Sequence, residues 1–254
     1  MKKLLLLKVI LKNIAQLHPR YLYLVRKNKI QTKPSITNQI KKKNIFIITS
    51  CVNVHDNIDY PIHNCDHTSE QRLIETLIGL KSVRDNYADS YIVFLESSKI
   101  SYQDKRQIED LIDEYYDYSE YKSIKIARKH FNKGVPQFTA LINFFEENRD
   151  NYHAETFHFL GARYSLTANI TCNISPTAGA HFFHYPEHNN VSTRYFFISK
   201  LTMSEILEPF RKTRYCAMAG ASVEDFINCF FQKNAPLKKL GIEGRVNGKE
   251  MIYE

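Results

Sequence analysis

The chain has 254 residues, of which 43% are hydrophobic and 24% charged, a length that holds one large domain, or one domain with a small appendage, and a balance ordinary for a soluble protein. Its formal charge of +8 is uneven: nine Lys and Arg and no Asp or Glu precede residue 34, Lys41-Lys42-Lys43 follow, and beyond them the charges nearly balance. This excludes a nucleic-acid-binding face spread over the folded part and points to an anionic membrane surface, while five scattered cysteines without a CxxC pair exclude a disulfide framework or a thiolate zinc site and fit a reducing compartment.

Residues 1–17, MKKLLLLKVILKNIAQL, have apolar runs too short to cross a bilayer and no small-residue cleavage site, so a basic helix in the membrane interface is expected, or a terminal helix docked on the protein itself. His18-Pro19 ends it, residues 21–25 read as a second short element, and 31–43, with Pro34, as a linker. The expected division is therefore a basic N-terminal segment over 1–43 and one α/β domain over 44–254. Residues 45–50, IFIITS, form the unbroken β-branched and aromatic run of a strand covered on both faces. The next segment, with His55, Asp56, Asp59, His63, Asp66 and His67, lacks periodicity; a polar loop at the mouth of a cleft is expected, with a metal site as the alternative.

Thr68 with Gln71 marks a helix start, Leu73, Leu77, Leu80 and Val83 its buried stripe, and Tyr87 its end. A second buried strand covers 91–95 and stops at Glu96-Ser97-Ser98-Lys99. Ile108, Leu111, Ile112 and Tyr115 line a further helix, and 118–127 holds a third short strand. Lys133-Gly134 opens a helix with Phe138, Leu141, Ile142, Phe144 and Phe145 on its apolar face, and 156–160 follow as a strand. Gly161-Ala162-Arg163-Tyr164 then gives backbone room and aims one fixed cation at a ligand, as strand ends of open α/β sheets do. Helical spacing recurs over 198–211 and 222–231, and Gly241-Ile242-Glu243-Gly244 reads as a turn. The alternation of strands and helices predicts an α/β fold with a mainly parallel sheet flanked by helices. GxGxxG, Walker A and GxSxG sequences are absent, which removes dinucleotide, P-loop and α/β-hydrolase readings.

The ordered set IFIITSCVN (45–53), TSEQRLIETLIGLKSVR (68–84), YIVFLESSK (91–99), NKG (132–134), LGARYSL (160–166), STRYF (192–196) and LGIEG (240–244) resembles GT-A-type glycosyltransferases, and more narrowly viral and bacterial surface-glycan transferases. The resemblance runs from about residue 44 to the C-terminus and implies a GT-A-like (Rossmann-like) sheet. It implies transfer of a sugar from a nucleotide-sugar donor to a glycan or lipid-linked acceptor in surface polysaccharide synthesis, and the basic N-terminus and the cysteine usage place it in the cytoplasm, peripheral to the inner face of the membrane. The alternative is a non-catalytic nucleotide- or glycan-binding module. The family holds a divalent metal on an Asp-x-Asp motif that this chain lacks, with Gly161-Ala162-Arg163-Tyr164 in its place. Arg163, helped by Lys133 or Arg194, is therefore expected to do a metal's work on the donor diphosphate, since guanidinium groups bind phosphate in a bidentate fork. Thr49, Ser50, Asn53, Glu96 and Ser97, with Gly134, Gly161 and Tyr164, complete the expected donor site.

A base for the acceptor hydroxyl is sought at Glu243, between two glycines, then at Glu224 or Asp225, and last at Asp66. Carboxylates are favoured in a first helical turn whatever the function, which tells against Glu224 and Asp225. Arg72 reads as a solvated or salt-bridged helix residue. His181, His184 and His188 around Pro186 read as satisfied histidines of a strand or loop, with an aromatic-rich acceptor loop as the alternative.

Overall fold

The computed structural model describes residues 23–24, 39–54, 67–148, 151–169, 177–185, 190–237, 239, 241–246 and 250–253. The expected interfacial helix, the residues from His55 to Asp66, and Pro186 to His188 lie outside the described residues. In chain order the elements are β1 (Ile40–Ser50), α1 (Ser69–Asn86), β2 (Tyr91–Glu96), α2 (Tyr102–Glu109), β3 (Glu114–Asp117), α3 (Lys122–Ala127), α4 (Gly134–Glu147), β4 (Tyr152–Gly161), β5 (Tyr164–Leu166), β6 (Gly179–Tyr185), β7 (Asn190–Val191), β8 (Tyr195–Ser199), α5 (Met203–Met218), α6 (Val223–Phe230), β9 (Asn234–Leu237), β10 (Ile242–Val246) and β11 (Glu250–Tyr253).

Alternation along β1 explains the layers. Ile45 and Ile47 point to one face of the sheet, into a core with Val93, Leu95, Phe138, Leu141, Phe145 and Phe210. Phe46 and Ile48 point to the other face, with Leu80, Val83, Ile92 and Phe94. A strand apolar on both sides must be covered on both sides, so α3 to α6 and α1 with α2 sandwich the sheet. The strand order is β3-β2-β1-β4-β8-β6-β7, with β9 beside β6; a small sheet β11-β10-β5 stands apart. The β1–β2, β1–β4, β2–β3 and β6–β9 ladders are parallel, whereas β8 runs antiparallel to both β4 and β6. The fold is thus mixed α/β with a mainly parallel sheet, as the sequence implied.

Several element bounds differ from expectation for local reasons. The third strand is Glu114–Asp117, earlier than predicted, because Tyr115 leaves the helical stripe to pair opposite Phe94; the helix before it ends at Glu109. Ser123, Ile124 and Ala127 are buried at helical spacing, so 122–127 is a helix. Ile198 and Ser199 belong to β8, and the helix expected over 198–211 starts at Met203, where Thr202 and Glu205 close a capping box. The same device at Thr68 and Gln71 opens α1 as predicted, although Thr76 and Gly79 join Leu80 and Val83 on its buried face. β1 begins at Ile40, four residues before the expected start of the domain, and Leu24 is buried in the core with its carbonyl accepting from Arg214 Nη2 at 2.6 Å. Among the described residues no helix is long and apolar enough to cross a membrane.

Candidate active site

Register puts the polar strand tips side by side. Thr49 pairs with Leu95 on one side and Gly161 on the other, and Ser50 with Glu96. Ala162 N–H donates to Thr49 O at 3.0 Å, Ser97 N–H to Ser50 O at 3.1 Å, and Gly161 N–H to Arg194 O at 3.0 Å. The carboxyl ends of β1, β2 and β4 and the residue before β8 therefore share one edge. Above that edge lies a cleft of about 730 Å³, of the size that holds a small-molecule ligand.

Of the residues singled out from the sequence, Thr49, Ser50, Ser97, Lys133, Gly134, Gly161, Arg163, Tyr164, Arg194 and Glu224 line this cleft. Gly161 to Tyr164 form a two-residue turn between β4 and β5, and the Arg163 guanidinium carbon stands 5.0 Å from the centroid of the buried Tyr164 ring. Arg194 Nη1 donates to Tyr185 Oη at 2.6 Å. Gly134 serves packing as well as the cleft: an added Cβ would stand 2.3 Å from Val223 Cγ1, so the first turns of α4 and α6 meet there, and its N–H is donated to Asn132 Oδ1.

Four of the sequence candidates do not line the cleft. Glu96 is fully buried beneath it, its Oε1 accepting from the N–H groups of Val52 and Ser98 at 3.2 and 2.8 Å and from Ser98 Oγ at 2.5 Å. Burial pushes its carboxyl up, against those hydrogen bonds. Glu96 thus ties the β1 and β2 exits together from below. Asn53 holds the same floor: its N–H donates to Ser98 Oγ, its Oδ1 accepts from Ser69 Oγ, and its carbonyl accepts from Arg128 Nη2 at 3.1 Å. Asp225 is exposed on α6. Glu243 lies in β10 opposite Ser165 and Tyr253, not in a turn. The glycines around it mislead for separate reasons: Gly241 has φ 61 and makes the turn, whereas Gly244 is small because a Cβ there would be 2.5 Å from the Tyr164 ring.

Arg72, expected as a solvated or salt-bridged helix residue, lines the cleft, and so do Arg128, His130, Asn132, Gln137 and Thr193, to which no role was assigned from the sequence. Arg128 donates to Ser97 O and Asn53 O, at 3.3 and 3.1 Å, from the end of α3. The basic run Arg128-Lys129-His130 just before Asn132-Lys133-Gly134 was the available signal. Arg72 stands in the first turns of α1, and Glu75 behind it feels Arg72, Arg163 and Arg245; burial nevertheless pushes the Glu75 carboxyl up. Glu224 is the one carboxylate among the described lining residues, beside Arg72, Arg128, Lys133, Arg163 and Arg194. Its Oε1 accepts from Thr193 Oγ1 at 2.9 Å and its Oε2 from the Ser222 hydroxyl.

The described lining, with its several guanidinium and ammonium groups, suits an anion. Among the described residues no group of three or more His, Cys, Asp or Glu is placed to hold a metal ion. Fold and cleft together define an α/β protein with a cleft lined by cationic side chains at the carboxyl edge of a mainly parallel sheet, the edge where open sheets bind ligands.

No family model matches the chain, and no curated protein matches it. Solved structures similar to it include the apo form of the bifunctional glycosyltransferase WbbM, with TM-score 0.45 and 10% identity over 81% of this chain and 40% of that one. The galactosyltransferase LgtC in complex with donor and acceptor sugar analogues has TM-score 0.43 and 8% identity over 76% of this chain and 72% of that one. A mannosyltransferase from Pyrobaculum calidifontis in complex with GDP-Man and Mn2+ has TM-score 0.36 and 12% identity over 84% of this chain and 63% of that one. The chain spans 40% of the length of the bifunctional enzyme. Likenesses at these identities and scores leave the chemistry to be read from the cleft's own residues.

Proposed function

We propose that this chain is a glycosyltransferase that moves a sugar from a nucleotide-sugar donor to a glycan or lipid-linked acceptor. The single observation that carries the reading is the composition of the cleft: among the described residues, five cationic side chains and one carboxylate line it at the carboxyl edge of the sheet. A donor bound through its diphosphate brings two negative charges, and guanidinium groups receive phosphate oxygens in pairs. Thr49 offers its hydroxyl to the nucleoside part over a floor held by Glu96 and Asn53, in which Ser97 Oγ donates to Ser50 O at 2.8 Å. Gly161 leaves the backbone open to the diphosphate beside Arg163.

In the reaction, the acceptor hydroxyl loses its proton to the Glu224 carboxylate while its oxygen attacks the anomeric carbon. The bond from that carbon to the diphosphate oxygen breaks, and the electron pair leaves with the nucleoside diphosphate. The negative charge that develops there meets Arg163, Arg194 and Lys133, preset in position, so the transition state gains more than the ground state does. In this scheme the guanidinium groups take the part that a divalent cation plays on an Asp-x-Asp motif. The basic segment over residues 1–33 would hold the enzyme at an anionic membrane surface near a lipid-linked acceptor.

A panel of UDP-, GDP-, dTDP- and CMP-sugars tests the reading, first by thermal shift and then by release of the nucleoside phosphate. The expected result is stabilisation by one donor class and slow donor hydrolysis without acceptor. Stabilisation with no release under any acceptor would convict the reading and leave a binding module.

A further inference from the structure

Arg194 reaches the cleft from the short crossing between β7 and β8, and its main chain is held on both sides. Its carbonyl accepts from Gly161 N–H at 3.0 Å, at the tip of β4, and its own N–H donates to Ser192 Oγ at 3.4 Å; Ser192 N–H in turn donates to Phe183 O at 2.9 Å on β6. A fixed main chain still leaves the guanidinium at the end of a long stem with many rotamers. Tyr185, the last residue of β6, supplies the missing constraint: Arg194 Nη1 donates to its Oη at 2.6 Å, short as bonds from a charged donor are. The phenol is itself placed. Its ring meets the Phe183 ring edge-on, with centroids 5.3 Å apart and planes at 90°, and its backbone lies opposite Asn190 in the β6–β7 ladder. Tyr185 does not line the cleft, so whatever it does there it does through Arg194.

A phenol oxygen directs a guanidinium without cancelling its charge, whereas a carboxylate in the same place would do both. That difference matters at a leaving group, because a cation set in position beforehand stabilises the developing charge with no reorganisation at the moment of reaction. We propose that Tyr185 is a positioning residue of the transfer reaction, presetting the Arg194 guanidinium for the diphosphate that leaves. Thr193, the neighbour of Arg194, donates to Glu224 Oε1 at 2.9 Å, so one dipeptide carries both the anchor of the base and a cation for the leaving group. The inference rests on the glycosyltransferase reading and adds a residue outside the cleft that sets one of its cations.

The test is a double-mutant cycle on the full chain, with Tyr185→Phe, Arg194→Ala and the two combined. Phe keeps the ring against Phe183 and removes only the hydroxyl, and any loss of stability common to both backgrounds cancels in the cycle. Calorimetry measures binding of whichever of UDP, GDP, dTDP or CMP stabilises the wild type, and release of that nucleotide from its sugar donor gives kcat. The expected result is a kcat about tenfold lower in Tyr185→Phe, with weaker nucleotide binding. Added to Arg194→Ala, the same change should alter either quantity by less than about twofold, since the hydroxyl then has nothing to direct. Unchanged kcat and nucleotide affinity in Tyr185→Phe overturn the inference. So do losses of equal size in both backgrounds, which is what a merely structural role predicts. A wild type that binds none of the four nucleotides, or binds one without turning over its sugar donor, would instead sink the glycosyltransferase reading, and the inference with it.

Discussion

Replacing Glu224 by Gln removes a base while keeping a shape. Thr193 Oγ1 still finds the amide oxygen at the 2.9 Å contact it makes with Oε1, and the Ser222 hydroxyl, which now donates to Oε2, can turn to accept from the new amide. What disappears is the ability to take a proton. A positioned general base contributes about 10²–10⁴ in rate, or about 2.7–5.5 kcal/mol of barrier. The re-formed hydroxyl bond costs on the order of 1 kcal/mol at most, which moves the midpoint of a chain this size by about 2–4 °C. Transfer kcat should therefore fall at least a hundredfold while the donor KM and the melting temperature change little. Thr193→Ala, which keeps the carboxylate and removes one of its two anchors, should cost only about tenfold. Steady-state release of nucleoside diphosphate, with the donor varied at fixed acceptor, reads both constants. A folded Glu224→Gln protein that keeps more than about a tenth of the wild-type kcat would refute the assignment, because losses that small lie below what a base supplies.

Removing Arg163 as Ala should lower kcat by about 10²–10³, the scale of losing one preset charge-stabilising donor, while EDTA leaves the wild type active. Abolition of transfer by EDTA, with rescue by magnesium or manganese, would show that the guanidinium groups do not replace a cation. Gly79→Ala should destabilise the fold by about 1–3 kcal/mol, seen as a lower urea midpoint. The new Cβ would stand 2.6 and 2.8 Å from the carbonyl oxygens of Ala162 and Tyr164, and the gain of about 1 kcal/mol in helix propensity is the smaller effect. An unchanged midpoint would mean that α1 can retreat from the β4–β5 turn without loss. His158 gives a pH signature: it is buried between Tyr195 Oη and Asn44 Oδ1, and burial holds its pKa down to about 3 from the usual 6.5. Between those values the unfolded chain binds a proton that the folded one refuses. Its contribution is thus fully present above about 6.5 and is lost as pH falls toward 3, at up to about 1.4 kcal/mol per pH unit. Urea midpoints between about pH 4 and 7 should fall less steeply in His158→Gln; parallel curves would count against the buried neutral ring.

What was legible in the sequence was what near neighbours along the chain decide. The unbroken run at 45–50 required a strand covered on both faces, the Thr68–Gln71 pair is a capping box by spacing alone, and the small residues at 161–162 marked the strand tip that carries Arg163. The bounds of β3 and α5 slipped because Tyr115 and Ile198 fit either a helical stripe or a strand, and pairing with β2 and β4 settled them. Why residue 244 is a glycine was settled by the Tyr164 ring, which lies far away in sequence.

The cleft itself belongs to the tertiary structure. Arg72, Arg128, Arg163 and Arg194 come from a helix, a helix end, a turn and a loop, and no local pattern says that these four residues will line one cleft. Glu224 looked like an ordinary first-turn carboxylate until Thr193, 31 residues earlier, was seen to hold it. Periodicity fixes which face of an element is apolar, because burial acts residue by residue. It cannot fix which polar tips share an edge, because that follows from strand order and register, and those are set by the packing of the whole sheet.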